Sequence, residues 1–86
     1  MTRADKLARD ILFARADANV DFADLRKLLL SLGFVERVRG SHHIFAKDGV
    51  DELLNLQREG KHAKPYQLRQ VRMIVVRYHL WSPGNE

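Results

Sequence analysis

The chain has 86 residues and no cysteine, and its 15 Lys and Arg exceed its 11 Asp and Glu to give a formal charge of +4. This length fits one small domain, and a chain without cysteine has neither disulfides nor a cysteine-ligated zinc site. The sequence holds no apolar run long enough to cross a membrane and no signal-peptide pattern, which predicts a cytoplasmic protein. The basic excess favours a polyanionic partner.

Two helices are predicted in the first part of the chain. Residues 4–14 place apolar side chains on one helical stripe, formed by Leu7, Ile11 and Ala14. A linker without a clear period follows, and Asp21 then offers a side-chain oxygen to the free amides of a second helix. That helix ends at Gly33, which suits the left-handed position after a helix, and its apolar stripe is Leu25, Leu28, Leu29 and Leu32.

Three short antiparallel strands are predicted next, over residues 34–39, 42–47 and 50–57. Asp48-Gly49 favours a two-residue hairpin turn, and Arg39-Gly40 is interpreted as a second tight turn. These turns pair His42 with Asn55 on one neighbouring strand and with Arg37 on the other.

The two central histidines are predicted to lie on opposite faces of the sheet, because side chains alternate along a strand. The face with Phe45 and Leu54 is the more apolar, so it is assigned to the core together with His43. His42 then lies on the open face. The open face also carries an apolar patch typical of a partner interface, formed by Val35, Ile44 and Leu53.

A third helix is predicted from Pro65, followed by a frayed tail over residues 81–86. Its core stripe is Leu68, Val71, Val75 and Tyr78. Around the start of this helix, residues 58–72 carry five Lys and Arg against the single acid Glu59. Cations oppose the helix dipole there, whereas a bound phosphate would be stabilised by both the lysines and the helix amides. A solvated basic loop is the alternative interpretation.

The centre of the chain is the run Gly40-Ser41-His42-His43-Ile44-Phe45, in which a glycine turn leads directly into a strand. Histidine has its ordinary pKa near neutrality and is the commonest proton shuttle, so His42 is a candidate catalytic base. The four histidines have no carboxylate partner at ligand spacing, and adjacent strand histidines cannot share an ion. The sequence therefore predicts neither a metal nor another cofactor.

These residues resemble the HicA-type toxins of bacterial toxin–antitoxin pairs. The similarity covers residues 21–80 and rests on Asp21-Phe22, Leu32-Gly33-Phe34, the run 40–45, and Lys61-His62-Ala63-Lys64-Pro65. It implies an α+β fold like a double-stranded-RNA-binding domain, with a three-stranded antiparallel sheet and both main helices on one face. Residues 1–20 would add an N-terminal helix and a linker to this single domain. Pro65-Tyr66 stands where the family has small or hydroxyl residues.

The resemblance also implies a ribosome-independent mRNA endonuclease that needs no metal, with His42 as its essential histidine and a HicB-type antitoxin as its protein partner. RNA supplies its own nucleophile, the 2′-hydroxyl, and His42 would take that proton while positive charge stabilises the transition state. His62 is a candidate acid for the leaving 5′-oxygen. The expected RNA contacts are Arg37, Ser41, Lys61, Lys64 and Arg69.

Two other interpretations are open at this point. A non-catalytic RNA-binding module of the same fold would keep the basic loop and need no His42. A protein-binding module would use only the apolar patch of the open face.

Overall fold

The computed structural model describes residues 2–15 and 18–83. Its helices and strands follow the order α1 (Arg3–Leu12), α2 (Phe22–Ser31), β1 (Val35–Arg39), β2 (His42–Ala46), β3 (Leu54–Leu56) and α3 (Pro65–Arg77). The strands form one antiparallel sheet in the order β1-β2-β3. This arrangement is the α+β fold of the double-stranded-RNA-binding-domain type, which confirms the predicted fold class.

Helix α2 shows the predicted leucine stripe and the predicted glycine stop. Leu25, Leu28 and Leu29 are buried, and Gly33 adopts a positive φ of 97° that lets the Phe34 amide donate to the Leu29 carbonyl at 3.1 Å. The predicted side-chain cap is wrong, because Asp21 is the N-cap residue but makes no capping hydrogen bond with its carboxylate. That carboxylate instead lies 3.9 Å from Nε2 of His62.

The core lies between the sheet and the helices. Phe45, Leu54 and Leu56 point from β2 and β3 into a single apolar cluster. Helix α3 contributes Leu68, Val71, Ile74 and Val75 to the same cluster, at the spacing of a helical core stripe. The sheet thus has one covered face and one open face, as the alternation of apolar and polar residues predicts.

Helix α1 packs against both α2 and α3. Its buried side chains Ala8 and Ile11 join the common core, and Nε of Arg72 donates to the Ile11 carbonyl at 2.7 Å. This bond satisfies one of the carbonyls that the end of a helix leaves without an intrahelical partner. The linker predicted after α1 falls partly on Ala16 and Asp17, which lie outside the described residues.

Trp81 is buried, although the prediction placed it in a frayed tail. Its indole Nε1 donates to Oδ1 of Asp5 at 3.2 Å, and the guanidinium of Arg9 lies 6.0 Å from its ring centroid. A buried tryptophan needs both an apolar environment and a partner for its N–H, and α1 supplies them here. Ser82 and Pro83 are exposed, and the last part of the predicted tail, residues 84–86, lies outside the described residues.

The pairing of β2 with β3 differs from the prediction by two residues. Phe45 pairs with Leu54 rather than with Glu52, and β3 has only three residues. The predicted turn does form, since the Val50 amide donates to the Lys47 carbonyl at 3.0 Å. The next residues then leave the ladder because Asp51 donates its amide to the hydroxyl of Tyr78 in the segment after α3.

The pairing of β1 with β2 also differs by two residues. The turn is Gly40-Ser41, with Gly40 at a φ of 58°, rather than Arg39-Gly40. His42 therefore pairs with Arg39, and Arg37 pairs with Ile44. Because a shift of two residues keeps every side chain on its face, the predicted division between the core and the open face is unchanged.

Candidate active site

The open face of the sheet changes from basic to apolar along the strands. Three rows cross β1 and β2, namely Arg39 with His42, Arg37 with Ile44, and Val35 with Ala46. Asn55 of β3 extends the middle row, opposite Ile44. The basic end lies beside the Gly40-Ser41 turn, where negatively charged groups would be attracted.

The imidazole of His42 is exposed, and a contact with a side chain of the neighbouring strand β3 holds it in place. Its Nδ1 lies 3.0 Å from Oδ1 of Asn55. Because an amide oxygen can only accept, Nδ1 is the donor in this contact, and a neutral imidazole then keeps the lone pair of Nε2. This tautomer leaves an unprotonated ring nitrogen as a potential base.

His42 lines an open cleft of about 300 Å³ between the sheet and the start of α3. The sheet side of this cleft is formed by His42, Leu53, Asn55 and Gln57, and the helix side by Tyr66 and Gln70. Tyr66 and Gln70 are four residues apart and so lie on the same face of α3. The cleft joins a histidine, an aromatic ring and several side-chain amides at one place.

A chain of hydrogen bonds fixes the walls of this cleft. The Gln57 amide Nε2 donates to Oγ of Ser41 at 2.8 Å, which ties the end of β3 to the turn before His42. The fully buried Gln67 donates through Nε2 to the Gln57 carbonyl at 3.0 Å and accepts from the Lys64 amide at 3.1 Å. Because buried side-chain amides need such partners, Gln67 links the sheet firmly to the first turn of α3.

His43 lies on the covered side of the sheet, as predicted. Its Nδ1 donates to Oε2 of Glu36 at 2.8 Å, and its ring meets that of Phe22 edge-on at 4.9 Å between centroids. Nε of Arg26 donates to both Glu36 oxygens at 2.7 and 2.8 Å. Burial alone would raise the pKa of Glu36, but the hydrogen bonds from His43 and Arg26 outweigh it and hold that pKa below its ordinary value.

The loop that carries Leu53 into the cleft is fastened to the end of α3. The Tyr78 hydroxyl donates to Oε1 of Glu52, and Arg77 pairs with the other carboxylate oxygen. The hydrogen bond from Tyr78 is the main cause that lowers the pKa of Glu52, and the same bond raises the pKa of Tyr78. These contacts keep the residues before β3 in place although they lie outside the ladder.

Comparison with known families identifies this architecture. A family model described as the HicA toxin of bacterial toxin–antitoxin systems matches residues 22–76. The chain belongs to the HicA toxin family. The matched residues run from the start of α2 almost to the end of α3, so they include His42 and the whole cleft. Searches of curated proteins and of solved structures return no match.

None of the four basic residues predicted from the sequence lines the HicA cleft. Arg37 is on the open face, and Arg69 is exposed on α3. Lys61 is exposed in the loop before α3, and Lys64 is the N-cap residue of that helix. This loop is ordered by pairing with the chain before α2, because the Lys61 carbonyl accepts from the Phe22 amide at 2.8 Å.

His62 is separated from the other predicted site residues of this HicA chain. Its backbone bridges to Asp21 and Glu59, and its imidazole lies near the Asp21 carboxylate. It does not line the cleft that contains His42.

Five residues near His42 are absent from the set of site residues predicted from the sequence, and two of them, Asn55 and Gln57, line the cleft beside it. Arg39 is its neighbour on β1, and Tyr66 and Gln70 face it from α3. Arg39 was missed because the turn was assigned one residue too early. The sequence signal for Tyr66 was the departure of Pro65-Tyr66 from the small or hydroxyl residues that the resemblance led us to expect there.

The described part of this HicA chain lacks two features. No cluster of three or more His, Asp or Glu side chains capable of holding a metal ion occurs there. None of its helices is both long and apolar enough to span a bilayer.

Proposed function

We propose that this HicA-family chain is an endoribonuclease that cleaves mRNA without a metal, using His42 as the general base. One observation carries the proposal: the exposed His42 lines the cleft with its Nδ1 3.0 Å from Oδ1 of Asn55, a contact that in a neutral imidazole places the proton on Nδ1 and leaves Nε2 to accept one. An exposed imidazole held on a strand fits the proton transfer that RNA cleavage requires.

The proposed reaction uses the ribose of the substrate as nucleophile. Nε2 of His42 takes the proton of the 2′-hydroxyl, and the 2′-oxygen attacks the adjacent phosphorus. The bond from phosphorus to the 5′-oxygen breaks, which leaves a 2′,3′-cyclic phosphate and a 5′-hydroxyl. Because His62 does not line the cleft, we assign the proton taken up by the 5′-oxygen to solvent. A single base of this kind accelerates the reaction roughly 10²–10⁴-fold.

The RNA backbone would be held by the basic residues around the cleft. Arg37 lies on the open face, and the exposed side chains of Lys61 and Arg69 flank the start of α3. Lys64 lies at the N-terminal end of that helix, where the helix dipole also favours an anion. Ser41 is fixed by Gln57 directly before His42 and is the proposed hydroxyl contact to RNA.

The apolar end of the open face is the proposed site of a HicB-type antitoxin. Val35 and Leu53 each expose 66% of their surface, and Ile44 lies half-buried on β2, the central strand of the sheet. Leu53 also lines the cleft, so a partner that covers this patch would reach the edge of the active site. Binding there would block RNA without any change in the position of His42.

Expression of the chain without an antitoxin tests the proposed function. We expect growth arrest, and we expect the purified protein to cleave a mixed mRNA pool equally well with and without EDTA. Cleavage that EDTA abolishes would contradict metal independence. RNA that is bound but stays intact would favour the non-catalytic RNA-binding module.

The double variant Lys61→Ala with Lys64→Ala is expected to bind RNA more weakly and with a flatter salt dependence. Each phosphate contact to a single strand contributes about 0.7 to the slope of log affinity against log salt, so loss of two contacts lowers the slope by about 1.4. Binding titrations at several salt concentrations measure this slope.

Exposed lysines on the other helices provide the matched control. Lys6→Ala with Lys27→Ala removes the same charge from α1 and α2, away from the open face, and should leave most of the slope unchanged. If both double variants showed the same slope, the loop before α3 would be a solvated basic surface that does not contact RNA.

A further inference from the structure

Apart from His42, the cleft is lined by aliphatic, aromatic and amide side chains. None of the described residues that line the cleft is Lys or Arg, although basic side chains lie on either side of it. The lining offers one aromatic ring at Tyr66, the aliphatic Leu53, and the side-chain amides of Asn55, Gln57 and Gln70. A phosphate would find no cation here, whereas a planar base with donors and acceptors at its edge matches this lining.

Tyr66 presents its ring to this space. It is 46% exposed, and within the described residues its hydroxyl makes no hydrogen bond. Tyr78 shows the contrast, because its hydroxyl contacts both Glu52 and the Asp51 amide. Among the described residues Tyr66 therefore contributes no polar side-chain contact, and its half-exposed ring is available to contact a ligand.

The position of Tyr66 is nevertheless fixed. It is the second residue of α3, directly after Pro65, in the turn that the buried Gln67 ties to Gln57. A tyrosine side chain has only two rotatable χ angles, so holding it against a ligand costs little conformational entropy. Gln70 lies one turn further along the same face of α3, with its amide also without a hydrogen bond among the described residues.

We propose that Tyr66 is a stacking platform for the nucleobase next to the phosphodiester presented to His42, and that Gln70 contacts the edge of that base. Stacking on an aromatic ring accepts any base, while an amide that offers both a donor and an acceptor favours some base edges over others. In this arrangement Tyr66 determines the affinity for RNA, and Gln70 determines which base is preferred at the stacked position. This inference rests on the proposed RNA cleavage and assigns one wall of the same site.

Binding measured in the cleavage-deficient His42→Ala background separates this inference from the chemistry. The probes are short fluorescent RNAs, either intact or with a single abasic nucleotide at successive positions. Tyr66→Ala should weaken binding of intact RNA on the order of tenfold, and Tyr66→Phe should bind like the parent because the ring is kept. The effect of Tyr66→Ala should vanish for the RNA whose abasic position faces the cleft.

Met73→Ala is the matched control, since Met73 is 49% exposed on α3 and does not line the cleft. It should bind every probe like the parent. With His42 intact, Gln70→Ala should change the ratio of cleavage among RNAs that differ at the stacked base, which a loss of fold would not do.

Three results would overturn the assignment. Equal weakening by Met73→Ala and Tyr66→Ala would indicate a general surface effect. An equal loss of RNA binding in Tyr66→Phe and Tyr66→Ala would assign the hydroxyl, not the ring. Weakening by Tyr66→Ala at every abasic position would exclude contact with one base. If the parent bound no RNA at all, both this inference and the proposed function would fall, whereas binding without cleavage would overturn only the latter.

Discussion

His42→Ala is expected to abolish RNA cleavage and growth arrest while leaving the fold unchanged. The imidazole is exposed on the open face, so its removal leaves no buried cavity, and its hydrogen bond within the described part of the chain is to the exposed Asn55. The loss of the general base should reduce the rate by about 10²-fold or more. Cleavage of an mRNA pool, growth after induction and thermal melting of the purified variant measure the three parts of this result.

The adjacent histidine provides the control for this experiment. His43→Ala removes a hydrogen bond from the buried carboxylate of Glu36 and an edge-on contact with Phe22. Leaving a buried polar group without one of its partners costs about 1–3 kcal/mol, so this variant should melt earlier and lose activity only through instability. Cleavage by His42→Ala at the rate of the parent would refute the proposed mechanism. Early melting of both variants would show that the assigned faces are wrong.

Asn55→Ala is expected to slow cleavage on the order of tenfold because nothing then fixes which nitrogen of His42 carries the proton. Asn55 is exposed in β3, so the change should cost little stability. Initial rates as a function of pH, compared with thermal melting, distinguish a loss of catalytic competence from a loss of fold.

Asn55→Asp keeps the acceptor oxygen beside His42 and adds a negative charge. A carboxylate oxygen still accepts from Nδ1, so the tautomer and the maximal rate should be restored. Its negative charge favours the imidazolium form, which should move the acid limb of the pH–rate profile to higher pH. If neither variant changed the rate or the profile, Asn55 would have no role in positioning His42.

The faces of the sheet could be predicted from the sequence, but the pairing of its strands could not. The alternation of side chains along a strand places Phe45 towards the core and His42 towards solvent. An error of two residues in the strand pairing does not change these faces. The pairing depends on where the chain leaves the ladder after the Asp48-Gly49 turn. That point is set by Glu52 and its contacts with Tyr78, a residue 26 positions away in the sequence.

The same distinction applies to the candidate site. His42 could be predicted because a local motif places it at the start of a strand, and the basic loop because its charges lie close together in the sequence. The helix side of the cleft could not be predicted from the sequence, because Tyr66 and Gln70 meet β3 only after α3 has packed on the core. Arg39 was not predicted as a neighbour of His42 because Gly40 fits either position of a two-residue turn. The turn could therefore be placed at residues 39–40 or at residues 40–41, and the structure has the second.

The contact between Asp5 and Trp81 joins the two ends of the described chain. α1 lies before the residues that match the HicA family, and Trp81 lies after them, yet the two are hydrogen-bonded across 76 positions. Unravelling from either end must therefore break the same contact, so opening at the ends becomes one cooperative event rather than two independent ones. A protease that needs a loosened end to begin degradation would act at the rate set by that single opening.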